Sequence, residues 1–130
     1  MDWPEVFIVF VLSHLVGDFL LQTDWQAQNK AGGLGANPVQ RRALASHVAV
    51  YALTFVPALI WLAGEIGARA VAIGALIAVP HLVQDDGRLL ASYIRRVKGP
   101  DAAGIPVAVV GADQALHMLA LFGAALLAAR

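Results

Sequence analysis

Four long apolar runs, separated by two polar stretches and one short link, make up most of the chain. A helix crossing lipid needs about 20 mostly apolar residues. Segments at approximately 4–22, 43–63, 68–87 and 104–129 meet that requirement. Pro4 suits the first turn of a helix, and Trp61 suits a membrane–water interface. The pattern predicts an all-α fold, an integral membrane four-helix bundle, as one transmembrane domain over residues 1–130. The first run is a poor signal peptide. It opens on Asp2 and Glu5, has no basic start and lacks a small-residue cleavage site.

The polar stretches set an orientation. Thr23 to Arg42 carries Lys30, Arg41 and Arg42 around the run Ala31 to Pro38, which reads as a loop. Arg88 to Gly104 carries Arg88, Arg95, Arg96 and Lys98. With four crossings these stretches share a side. That side holds all the Lys and Arg residues except Arg69 and Arg130. Basic loops stay cytoplasmic, so a multi-pass protein with both termini outside the cytoplasm is expected. Leu89 to Val97 also suits an amphipathic continuation of the third helix along the membrane surface.

Composition agrees with the pattern. The chain is 59% apolar and 14% charged, against about 45–50% and about 25% for an average soluble domain. Zero cysteines exclude a disulfide scaffold, a thiolate zinc site and a cysteine nucleophile. Nine basic and nine acidic residues leave no nucleic-acid footprint.

Ionisable groups within spans are expensive and usually face a partner or a cavity. Here they are patterned. The four histidines fall one per span: His14, His47, His81 and His117. Three of them have an aspartate four residues away: Asp18, Asp85 and Asp113. That spacing puts each pair on one helical face. At about 1.5 Å per residue, all seven except His117 fall in the cytoplasmic half of a core about 30 Å thick. A single such pair also serves as helix–helix glue, worth about 0.6 kcal/mol. Three pairs plus His47 at compatible depths point to a shared site.

Imidazole and carboxylate suit Zn, Mn or Fe. Seven candidates (His14, Asp18, His47, His81, Asp85, Asp113 and His117) exceed the needs of one tetrahedral ion. Either two ions sit together, or some carboxylates orient histidines. His47 or His117 is a further ligand or a general base. Gln22 and Gln114 read as hydrogen bonds between helices, Asp86 and Arg88 as interfacial charges, and Asp24 with Trp25 as an interface anchor.

The run His14-Leu15-Val16-Gly17-Asp18-Phe19-Leu20-Leu21-Gln22 resembles the opening signature of an uncharacterised bacterial family of small membrane proteins, His-Leu-x-x-Asp-Phe-x-Leu-Gln. That family's later elements match His47, His81 with Asp85, and Asp113-Gln114 with His117. The resemblance spans nearly the whole chain and implies a bacterial inner-membrane location. In style alone, the chain is similar to membrane-bound metal-dependent hydrolases.

The leading expectation is a metal-dependent hydrolase acting on a lipid or amphiphile that arrives from the inner leaflet. A bound ion would lower the pKa of a water and polarise a phosphoryl or acyl oxygen. Three further readings are a transit or binding site for metal or protons, a bis-histidine haem protein, and a structural subunit. Four helices make a thin bundle, so a homodimer or a membrane-complex partner fits.

Overall fold

Local capping chemistry sets most of the helix boundaries. The computed structural model describes all residues, 1–130, and contains no strand. Helix α1 (Trp3–Leu15) starts with Pro4 in its first turn, and the Asp2 amide donates to the Glu5 carboxylate. It runs into a π turn at Val16–Leu20, where the Leu21 amide reaches five residues back to the Val16 carbonyl.

Within the polar stretch the run read as a loop is one over residues 31–37, and helix flanks it on both sides. Thr23 and Gln26 cap each other reciprocally, at 3.2 and 3.0 Å, and start the short α2 (Asp24–Asn29). Asn37 accepts from the Val39 and Gln40 amides, and Pro38 takes the first helical position, where its missing N–H costs nothing. Helix α3 (Pro38–Thr54) therefore begins five residues before the apolar run.

The second apolar run is a bent pair. Pro57 has no N–H for the Leu53 carbonyl. The chain breaks at Phe55, and α4 (Val56–Ile66) leaves α3 at 49°. Gly67, at φ +61, makes the turn into α5 (Arg69–Asp85). Gly87, at φ +80, ends the next turn and opens α6 (Arg88–Tyr93), extended by a π turn at Ile94–Lys98. A 3-10 turn (Pro100–Gly104) leads to α7 (Pro106–Ala128).

The stretch Trp3–Leu20 and α7 are long and apolar enough to cross a membrane, and the bent pair makes a third if it is one span. Helix α5 has 17 residues, a length of about 26 Å at helical rise.

Helices α1 and α7 pack with opposite directions. Phe122, near the end of α7, meets Trp3 and Phe7 edge-on at 5.4 and 5.7 Å. Val6, Phe10, Phe55, Leu62, Ile73, Ile77 and Leu121 fill the middle of this end. Only 26 of 130 residues are buried, so the outward faces are apolar as well. Leu20, Ile60, Val71 and Val107 are each more than two-thirds exposed. A helix apolar all round belongs in a large core or in lipid.

At the other end the loop after α2 is tied to the end of α5. The Gly32 amide donates to the Asp86 carbonyl, and the Leu34 amide to the Asp86 carboxylate, both at 2.8 Å. Both basic stretches thus lie at the same end of the molecule, and all four histidines are buried between that end and the apolar core.

Candidate metal centre

Four helices deliver the cluster, each by a local device. On α1, His14 sits on the last regular turn and Asp18 in the π turn. Such turns recur at functional sites because they re-aim side chains. Gly17 lies between them. A Cβ there would stand 2.7 Å from Tyr51 Cδ2, so the missing side chain lets α3 come close. On α3, His47 and Tyr51 share a face. On α5, His81 and Asp85 do. On α7, Gln114 and His117 point inward.

Each of the three i, i+4 pairs is in contact. His81 Nε2 lies 3.2 Å from Asp85 Oδ2. His14 Nδ1 to Asp18, and His117 Nδ1 to Asp113, are both 3.7 Å.

The central feature is a set of four atoms from three helices: His47 Nε2, His81 Nε2, Asp18 Oδ1 and Asp85 Oδ2. The two imidazole nitrogens lie 3.1 Å apart. His47 Nε2 is 3.2 Å from Asp18 and 2.8 Å from Asp85. His81 Nε2 is 3.4 Å from Asp18 and 3.2 Å from Asp85. Ligands at about 2.0–2.1 Å around a tetrahedral ion are about 3.3 Å from one another. Asp18, His81, Asp85 and His117, all buried, also offer one ligand atom each within 4.8 Å of one another, a cluster that could hold a metal ion.

His117 carries a further piece of information. Its Nδ1 donates to the Asp113 main-chain carbonyl at 2.8 Å, since a carbonyl can only accept. In the neutral ring Nε2 then bears a lone pair. It faces Asp85 Oδ1 at 3.2 Å and has no hydrogen-bond partner. Asp18 Oδ1 is likewise buried without one. Buried nitrogen and carboxylate oxygens turned on one another need a proton or a metal ion between them.

The remaining candidates stand outside that set. His14 is fully buried, but its Nδ1 is taken by the Tyr51 hydroxyl at 3.0 Å and its Nε2 by the Gln114 side-chain oxygen at 2.9 Å. Asp113 is 27% exposed at its side chain and contacts Gln114 and His117 at the edge of the cluster. Gln114 joins α7 to α1, as a helix–helix bond would, and does so by fixing the His14 ring. Gln22 accepts from Lys30 at 2.6 Å. Asp86 pairs with Arg88, whose guanidinium holds the Asp86 carboxyl below its ordinary range. Trp25 lies under the Arg42 guanidinium.

Two further residues of the site lie outside the sequence pattern of histidines and aspartates. Tyr51 is buried and stacks on His81. Its spacing of four from His47 was a legible signal. The Lys30 ammonium lies 2.7 Å from Asp85 Oδ2. Nothing in the spacing of Lys30 marks it, because the short α2 that brings it back has no period of its own.

A family model described as a protein of unknown function, DUF3307, matches residues 6–129. No curated protein and no solved structure matches the chain. The matched stretch contains every residue of the cluster, in agreement with the resemblance carried by the His14–Gln22 motif, and brings in no hydrolase. The chain belongs to the DUF3307 family, whose function is unknown.

Proposed function

We propose that this protein is a membrane-embedded divalent-metal protein, and that the ion serves hydrolysis of a lipid or amphiphile at the cytoplasmic side. The observation that carries the reading is the convergence of two imidazole nitrogens and two carboxylate oxygens, each nitrogen standing 2.8 to 3.4 Å from the other and from both carboxylates. Zn, Mn and Fe all accept this ligand set. In this reading four rods cross the bilayer: 3–20, the bent pair 38–66, 69–85 and 106–128. The basic end lies in the cytoplasm and both termini lie on the far side.

Hydrolysis needs a base and an open coordination position. His117 supplies the base: its Nε2 lone pair is aimed at the cluster from outside the four-atom set. Asp18, on the π turn and furthest from His81, would be the position open to water, which a bound ion would activate. Asp85, with one oxygen toward His47 and His81 and the other toward His117, would hold the ion and orient His117.

A second reading is cation transit, favoured by the closed shell of four protein ligands. Haem is disfavoured. Two axial nitrogens about 2 Å from one iron on opposite sides stand about 4 Å apart, whereas the two nearest here are 3.1 Å apart.

The test is turnover of phospholipids and chromogenic phosphodiesters or carboxylic esters by Zn- or Mn-loaded protein in detergent. The hydrolase reading expects chelator-sensitive product and a His117→Ala variant that keeps metal but loses turnover. Absence of product, together with metal accumulation in sealed proteoliposomes, overturns hydrolysis in favour of transit.

A further inference from the structure

Asp85 and Asp86 are neighbours, and each grips the same loop. Asp85 Oδ2 holds the Lys30 ammonium at 2.7 Å. Asp86 holds the Leu34 amide through its side chain and the Gly32 amide through its carbonyl. The segment between carries Gly32 at φ +80, a conformation that favours glycine, and Gly33, whose hydrogen faces Leu44 so closely that a Cβ there would collide. The loop is thus pressed onto α3 and pinned at α5.

Lys30 is the only lysine or arginine in contact with the cluster. Its side chain is 18% exposed, so it stands between the buried acceptors and the surface at the basic end. The oxygen it occupies is the one that His47 and His81 also approach, at 2.8 and 3.2 Å. An ammonium and a metal ion are both cations, and both claim that oxygen.

We infer that Lys30 is a tethered cation that stands in for the metal, and that a divalent ion entering the site displaces it from Asp85. The residue thereby sets a charge threshold. A monovalent ion gains no charge over the ammonium already present, whereas a divalent ion does. Once displaced, Lys30 no longer anchors the loop, and the Asp86 contacts at Gly32 and Leu34 become its remaining ties to α5. The inference rests on the metal reading above and assigns Lys30 a role in cation selection.

The experiment is calorimetric titration of the full chain in detergent with Mn2+ and with Zn2+, at fixed NaCl and again at tenfold higher NaCl. Lys30→Met keeps the length of the side chain without its charge. It is expected to bind metal at least tenfold more tightly than the unsubstituted chain, with affinity that falls as NaCl rises. Lys30→Arg keeps the charge and is expected to bind within about threefold of the unsubstituted chain. Amide exchange at Gly32 and Leu34 is expected to quicken when metal is added to the unsubstituted chain. Weaker binding by Lys30→Met, or loop amides that slow on metal addition, would overturn the inference and make Lys30 a partner of the bound ion. Binding by Lys30→Met alone supports it. Failure of every form, Lys30→Met included, to bind either metal removes the metal reading itself.

Discussion

The Tyr51 ring lies flat on the His81 imidazole, with centroids 3.4 Å apart and planes 3° from parallel. Its hydroxyl meets His14 Nδ1 at 3.0 Å. One buried tyrosine thus fixes one proposed ligand ring by stacking and a second histidine by hydrogen bonding. Residues that orient ligands typically contribute 10–100-fold to metal affinity. Tyr51→Leu is expected to weaken metal binding by about that factor. Tyr51→Phe keeps the stack and loses one buried hydrogen bond, at a cost of about 1 kcal/mol in stability, with metal affinity largely retained. Titration and thermal unfolding of the two variants separate these effects.

Gly17 tests the close approach of α1 to α3. Gly17→Ala places a methyl 2.7 Å from Tyr51 Cδ2, and overpacking of this kind costs about 1–3 kcal/mol. Gly111 and Gly123 lie in α7, where a methyl group on either would have open space within 4 Å. Alanine at either is expected to be neutral, or stabilising by up to about 1 kcal/mol through helix propensity. Thermal unfolding of the three variants in one detergent makes the comparison.

His14 and His81 are equally buried but differently employed. Both His14 nitrogens have protein partners, whereas His81 Nε2 faces both carboxylates. His81→Ala and His47→Ala are expected to abolish stoichiometric metal binding. His14→Gln is expected to leave the stoichiometry intact and, like Tyr51→Phe, to retain most of the affinity. Metal titration distinguishes the outcomes.

Asp86 sets a pH dependence at the basic end. Its carboxyl is held below the ordinary range chiefly by the Arg88 guanidinium, and the Leu34 amide donates to it. A carboxylate with a lowered folded-state pKa contributes stability that is present above its unfolded value and lost as pH falls through the folded one. Exchange of the Leu34 amide is therefore expected to quicken as pH drops below the ordinary aspartate range, after correction for intrinsic rates. Asp86→Asn, which keeps an acceptor oxygen without the charge, is expected to remove that dependence.

Much of the site was legible because helical spacing is rigid. Four residues separate His14 from Asp18, His81 from Asp85 and Asp113 from His117, and each pair is in contact. Spacing could not show which atoms of those pairs converge. Asp113 turns to the edge of the cluster, and a main-chain carbonyl takes the His117 Nδ1 in its place. Lys30 reads in the sequence only as a charge of the polar stretch, because the short α2 whose end carries it back to Asp85 is too brief to show a period. The bend at Phe55 did have a signal in Pro57, set within an apolar run long enough to read as one rod.

The most direct test of the central claim is the metal content of the purified full-length chain, measured by mass spectrometry after growth in metal-supplemented medium. At least one Zn, Mn or Fe per chain is predicted, retained through gel filtration and lost in an Asp18→Asn, Asp85→Asn double variant that remains helical. Metal-free protein whose unfolding temperature is unchanged by added Zn2+, Mn2+ or Fe2+ would contradict it.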